Sequence, residues 1–148
     1  MTINFRELPE EFKSYIKDDP VRPELDYEFR TSMGRQIFTI DDGEKPLAIC
    51  CVAYCDQVPL TVEDMSRWPE FMDPPRIAVF YTVWSYQKGA GRKIIFNIVD
   101  YIHEHKPHIM KFVTLSPKTD MARRFHLLNG AVVLNENKIT DNYEYRNV

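Results

Sequence analysis

The chain has 148 residues, with 19 basic against 22 acidic side chains and a formal charge of −3; 44% of its residues are hydrophobic and 28% charged. That length carries one domain, spanning 1–148, with a core of its own, and the composition is neither that of a disordered chain nor that of a membrane-embedded one. No run reaches the roughly 18 apolar residues of a spanning helix, residues 1–8 lack the apolar segment of a secretory leader, and the near-balanced charge gives no reason to expect nucleic-acid binding. A cytoplasmic domain working away from membranes is the expectation.

Residues 9–17 predict a helix, with Pro9 in the first turn and Phe12, Tyr15 and Ile16 on one side. The stretch 18–34, broken by Pro20 and Pro23, predicts irregular chain with a short strand at Tyr27–Thr31. Two strands, Gln36–Ile40 and Pro46–Tyr54, follow around the turn residues Asp41, Asp42 and Gly43. Cys50, Cys51 and Cys55 all fall in or beside the second of these. Adjacent strand residues face opposite ways, and Cys51 and Cys55 lie roughly 13 Å apart at about 3.3 Å per residue. Three reduced core thiols, and hence an intracellular protein, are expected.

Residues 56–75 carry four prolines around a short helix candidate, Val62–Trp68, that Thr61 can cap. This excursion is suited to covering a site or a partner surface. Arg76–Ser85 has the pattern of a buried strand and runs into Tyr86-Gln87-Lys88-Gly89-Ala90-Gly91-Arg92. An amphipathic helix follows, with Ile94, Ile95, Ile98, Val99 and Ile102 at helical spacing, and ends before Pro107. A strand at Lys111–Leu115, a helix from Ser116-Pro117 to Gly130, and strands at Ala131–Asn135 and Tyr143–Arg146 complete a mixed α/β order.

Charge is unevenly spread. Residues 86–124 hold eight basic and three acidic side chains, a local +5 that leaves −8 elsewhere. Such a field fits a small polyanionic ligand better than a long polymer; a solvated basic helix face is the plain alternative. The segment also contains two of the five glycines, Gly89 and Gly91, at a strand-to-helix turn. Successive N–H groups and the helix dipole there make a phosphate cradle, with Lys88, Arg92 and Lys93 beside it. The same glycines also serve a merely steric turn. A dinucleotide fingerprint and a P-loop are both absent. His103, His105 and His108 cluster at a helix end, but residues 103 and 105 do not share a helical face, and no metal site is expected.

Taken with its position, the loop resembles the acyl-CoA-binding motif of the GNAT (Gcn5-related N-acetyltransferase) superfamily, Q/R-x-x-G-x-G/A. Gly89 and Gly91 match its glycines and Arg92 the basic residue that commonly follows; Tyr86 stands at the first position, with Gln87 one place late. The resemblance implies a single-domain, mainly antiparallel sheet flanked by helices, binding acetyl-CoA or another acyl-CoA. It implies that the backbone from Gln87 through Lys88, Gly89 and Ala90 to Gly91 and Arg92 holds the pyrophosphate. The strand would splay from its neighbour so that Thr82, Val83 and Trp84 pair with the pantetheine arm. An unidentified amine would accept the acyl group, with a homodimer among the assemblies allowed.

Ala122, Phe125 and Gly130 fit the helix that follows in that superfamily, with His126 where a tyrosine often protonates the departing thiolate. A histidine of ordinary pKa, about 6.5, can donate that proton. The wording Leu115-Ser116-Pro117 with Phe125-His126-Leu127 and Asn129-Gly130-Ala131 is also similar to malonyl-CoA decarboxylase, whose catalytic domain is GNAT-like. That implies roles for Ser116 and His126 at a malonyl thioester. The bland readings stand beside these: Ser116-Pro117 makes a good helix start, and His126 a buried, hydrogen-bonded histidine. Arg123 and Arg124 reach phosphates or face water, and Tyr143 and Tyr145 are reserve acids or sheet aromatics. A catalytically silent binding module with this fold is the remaining alternative.

Overall fold

The computed structural model describes residues 2–32, 34–66 and 74–148. Strand β1 (Asn4–Glu7) is followed by a 3-10 helix (Glu10–Asp18), helix α1 (Tyr27–Thr31), strands β2 (Arg35–Asp41) and β3 (Pro46–Cys55), and a 3-10 turn (Glu63–Ser66). Then come β4 (Ile77–Ser85), α2 (Ala90–His105), β5 (Lys111–Thr114), β6 (Ser116–Pro117), α3 (Asp120–Leu128), β7 (Val132–Glu136) and β8 (Thr140–Tyr145). The eight strands form one sheet in the order β1-β2-β3-β4-β5-β8-β6, with β7 also on β8. Every pairing is antiparallel except β4 with β5.

Period-two alternation divides the core between the two faces of the sheet. Phe38, Ala48, Cys50, Val52, Ala78 and Phe80 pack with the Ile94, Ile95, Ile98 and Ile102 stripe of α2. Ile37, Ile49, Cys51, Ala53, Val79 and Tyr81 pack on the other face with Leu8, Phe12 and Met65. Because β3 is covered on both faces, it reads as a nearly unbroken apolar run. Each wholly buried isoleucine of α2 contributes about 1.5–3 kcal/mol. Cys50 and Cys51 fall in opposite clusters as expected, and all three cysteines are free, although Cys55 is only half-buried.

Four expectations change. Tyr27–Thr31 is a helix and not a strand, because the Asp26 carboxylate accepts the Phe29 N–H at 2.8 Å and starts a turn that aromatic content concealed. The 10–18 segment is 3-10, with Pro9 as its cap residue. Ser116 and Pro117 do not open a helix; they pair with Asp141 and Thr140 of β8. The cap of α3 is Thr119, whose hydroxyl accepts the Ala122 N–H. The short, polar β1 went unpredicted. Of the Val62–Trp68 helix, a 3-10 turn at Glu63–Ser66 is seen, with Thr61 capping Asp64, and Trp68 lies outside the described residues.

Beneath the sheet, Asp19 gathers a buried polar knot. Its carboxylate accepts from the N–H groups of Val21 and Arg22 at 2.8 and 2.9 Å, from Thr82 Oγ1 at 3.0 Å and from Arg30 Nη1 at 2.8 Å. Arg30 is itself fully enclosed and also donates to the carbonyls of Leu25 and Arg22. Removing one member of a buried pair strands the other's charge. Asp19→Ala is therefore expected to lower unfolding free energy by about 3–5 kcal/mol, read from urea denaturation.

Candidate active site

The parallel ladder of β4 and β5 ends at Phe80 and Thr114, with a last bond from Leu115 N–H to the Phe80 carbonyl at 3.1 Å. At that level β4 carries a bulge: Cys51 pairs with Thr82 and Val52 with Phe80, so Tyr81 is the extra residue. Beyond it the strands part. The Tyr86 N–H reaches the Leu47 carbonyl at 2.8 Å, so alternation turns the backbone of Thr82 and Trp84 toward β3 and that of Val83 and Ser85 toward the gap. Val83 is thus the strand residue whose backbone can pair with an inserted ligand, and Ser85 joins it. Thr82 commits its hydroxyl to Asp19.

The gap opens into a cavity of about 340 Å³. Its walls include Pro20 and Val21 on one face of the sheet, and Gly91, Phe125 and His126 on the other. Thr82, Val83, Trp84 and Ser116 also line it. Behind two residues of the lining lies Arg22, whose guanidinium donates to the carbonyls of Tyr81 and of Leu115, the latter at 3.0 Å. Burial lowers this guanidinium's pKa, and the neighbouring Asp19 carboxylate opposes that shift. Nothing in the sequence distinguished Asp19 or Arg22 from solvated charges; only the two prolines bracketing Val21-Arg22 hinted at a rigid turn.

At the other end, Gly89 precedes α2 with φ 85°, a conformation that a side chain strains. The Ala90 N–H is spent on the Gln87 carbonyl at 3.1 Å, whereas those of Lys88, Gly89, Gly91 and Arg92 meet no protein acceptor among the described residues. Four such donors gather at the start of a 16-residue helix, an arrangement suited to an anion. Gly91 has a packing reason as well: a Cβ there would stand 3.3 Å from Phe125 Cε1. Gln87 and Lys88 are exposed. The Arg92 side chain is held by the Leu128 carbonyl and Asn129 Oδ1 at 3.3 and 3.1 Å, so its backbone, more than its guanidinium, is free for the loop. Arg123 pairs with Glu136.

His126 and Ser116 share the cavity despite their bland alternatives. His126 is 4% exposed, stacks on Tyr143, and sets Nδ1 2.7 Å from Tyr145 Oη. Asn129 Nδ2 donates to the same phenol oxygen at 3.4 Å, which directs the phenol hydrogen to Nδ1 and assigns the imidazole hydrogen to Nε2. Burial pushes the His126 pKa down to about 4. With that shift the ring is neutral at pH 7 and offers an N–H as a hydrogen-bond donor. Ser116 Oγ lies 2.8 Å from Thr114 Oγ1, which also accepts the Tyr143 N–H at 3.0 Å. Tyr145, one of the reserve acids, is pushed up by burial and serves His126 instead.

No carboxylate or lysine among the described residues lines the cavity. Among the described residues, no three His, Cys, Asp or Glu side chains gather as a metal site, and His103 and His105 pack on different rings. No helix described is long and apolar enough to cross a membrane.

No protein-family model matches the sequence, and no curated protein matches it. Solved structures do. Malonyl-CoA decarboxylase from Rhodopseudomonas palustris superposes with a TM-score of 0.74 at 18% identity, over 97% of this chain and 59% of that one. The Agrobacterium vitis decarboxylase gives 0.68 at 24%, over 83% and 35%. Arabidopsis thaliana NAA60 in complex with acetyl-CoA gives 0.66 at 12%, over 97% and 98%. The chain therefore has the GNAT fold, which these acetyltransferases and decarboxylases share. It spans about a third to three fifths of the decarboxylase chains and nearly the whole of NAA60.

The His126 environment has a measurable signature. A folded-state pKa below the unfolded one means that the unfolded chain binds this proton first. Stability is full above about pH 6.5 and falls as pH drops toward 4, by about 3 kcal/mol for a shift of this size. Urea midpoints of wild type and His126→Gln should converge over that window as pH is lowered.

Proposed function

We propose that this chain binds an acyl-CoA along the β4–β5 gap and transfers its acyl group to an amine. The observation that carries the reading is continuity: backbone that can pair with pantetheine, at Val83, runs directly into the N–H cradle of Gly89–Arg92, with a closed cavity at the far end for the acyl group. Loop N–H groups and Lys88 would take the pyrophosphate. His126 Nε2–H would donate to the thioester oxygen as negative charge gathers there, with Ser116, whose hydroxyl donates to Thr114 Oγ1, lining the same space. The amine nitrogen attacks the carbonyl carbon, the C–S bond breaks, and the proton shed by nitrogen passes to the thiolate sulfur. Holding both reactants in one cleft supplies much of the acceleration.

Because no carboxylate or lysine among the described residues lines the cavity, the acceptor would lose its ammonium proton to water. The transfer rate should then rise with pH along the acceptor's own titration, with no inflection from a protein histidine between pH 6 and 8. A step near pH 6.5 that vanishes in His126→Ala would overturn this account of His126.

A second reading, decarboxylation of a malonyl-type thioester, is favoured by Ser116 and His126 facing one cavity that no carboxylate or lysine among the described residues lines. Loss of CO₂ breaks a C–C bond and leaves an enolate oxygen, which the neutral His126 N–H would stabilise; a solvent proton then completes the product. Arg22, whose guanidinium donates to two carbonyls, would add a positive charge behind the wall. Calorimetric titration with acetyl-CoA and malonyl-CoA tests binding, and no heat with either at millimolar ligand refutes both readings. Released CO₂ from malonyl-CoA selects the second; acyl-amine formation across a panel of amines selects the first; binding without either product leaves the silent module. Lys88→Glu, at an exposed loop position, should weaken acyl-CoA binding about tenfold without lowering stability.

A further inference from the structure

Tyr86 stands where the GNAT motif commonly has glutamine or arginine, two residues before Lys88, yet its hydroxyl is turned away from the loop. It donates to Asp18 Oδ2 at 2.8 Å and accepts the indole N–H of Trp84 at 3.0 Å, while its ring meets Tyr15 edge-on at 5.8 Å. Trp84 is a wall of the cavity. Asp18 adjoins Asp19, whose carboxylate caps Val21 and Arg22, and Pro20 with Val21 forms the opposing wall. One phenol oxygen thus joins the root of the anion cradle to both sides of the acyl chamber.

We propose that Tyr86 is a positioning residue that couples the two ends of the pocket, so that an occupied cradle fixes the Pro20–Val21 wall. The inference rests on the reading of Gly89–Arg92 as a CoA phosphate site. Asp18, Pro20 and Val21 are exposed, and among the described residues the Asp18 carboxylate is bonded by Tyr86 alone. The segment's inner anchors, Asp19 and Arg22, are buried. The wall is therefore held firmly from below and by a single exposed latch above. A phosphate ligand that orders residues 87–92 also orders Tyr86, and through it Asp18. Coupling of this kind requires that the ligand favour the latched arrangement over the open one, which a cradle continuous with Tyr86 supplies.

Splitting the ligand tests this. The probes are 3′,5′-ADP for the cradle and S-acetylpantetheine for the gap and chamber, titrated singly and together by calorimetry. In the wild type, saturating 3′,5′-ADP should tighten S-acetylpantetheine binding at least about fivefold, within the usual range of site-to-site coupling. Tyr86→Phe keeps the ring against Tyr15; each probe alone should bind it within about twofold of wild type, while the coupling factor falls to about one. Asp18→Ala should behave likewise, and Asp18→Asn, which keeps an acceptor oxygen, should restore the coupling. Equal coupling in wild type and Tyr86→Phe overturns the proposal, as does its absence in a wild type that binds both probes. Failure of 3′,5′-ADP to bind at all refutes the phosphate site itself, and the inference with it.

Discussion

A parallel ladder that covers only the first half of β4 leaves unsatisfied backbone in the middle of a protein, and most of this structure follows from how that backbone is used. The bulge at Tyr81 begins the parting of β4 from β5. At the inner end the exposed carbonyls of Tyr81 and Leu115 would cost heavily if left bare, and Arg22 satisfies both. A buried guanidinium needs compensation in turn, which explains why Asp19, Arg30 and Thr82 are drawn into one knot. At the outer end no side chain fills the same role, and the backbone of Val83 is left for a ligand.

The His126 end of the cavity shows how enclosure changes the meaning of a side chain. An imidazole in water is poised to trade protons at neutrality; between Tyr143, Phe125 and Tyr145 it is held neutral, and its contribution becomes directional. Strand β8 supplies that direction twice over, through the Tyr145 hydroxyl to His126 and through the Tyr143 N–H to Thr114 beside Ser116. Both donors are aimed from one strand, so their spacing is as rigid as the sheet.

The sheet and its long helix were legible in sequence because their signals are local: the apolar run of β3, the isoleucine stripe of α2, the turn glycines. Gly89 and Gly91 were legible for the same reason. Helix α1 was not, since Tyr and Phe suit strands and a single aspartate cap outweighed them. The convergence of Ser116 and His126 came through resemblance, and the geometry shows why periodicity could not have given it: Ser116 belongs to a strand and His126 to a helix. Asp19 and Arg22 carry little signal beyond the two prolines that bracket Val21-Arg22. Arg22 is buried against carbonyls more than fifty residues away in sequence, and Asp19 against the equally remote Thr82, which no local pattern foretells.

That distance also bears on the order in which the molecule is made. The bonds closing the chamber join residue 22 to residues 81 and 115, separations of 59 and 93 positions. Contacts so remote pay their loop-closure entropy late, after the local helices and the β2–β3 hairpin have formed. Residues 76–148 hold the glycine loop, Ser116 and His126, yet not the segment that seals the space between them. The chamber is thus a product of the whole chain's topology, completed only when its N-terminal quarter docks beneath the sheet.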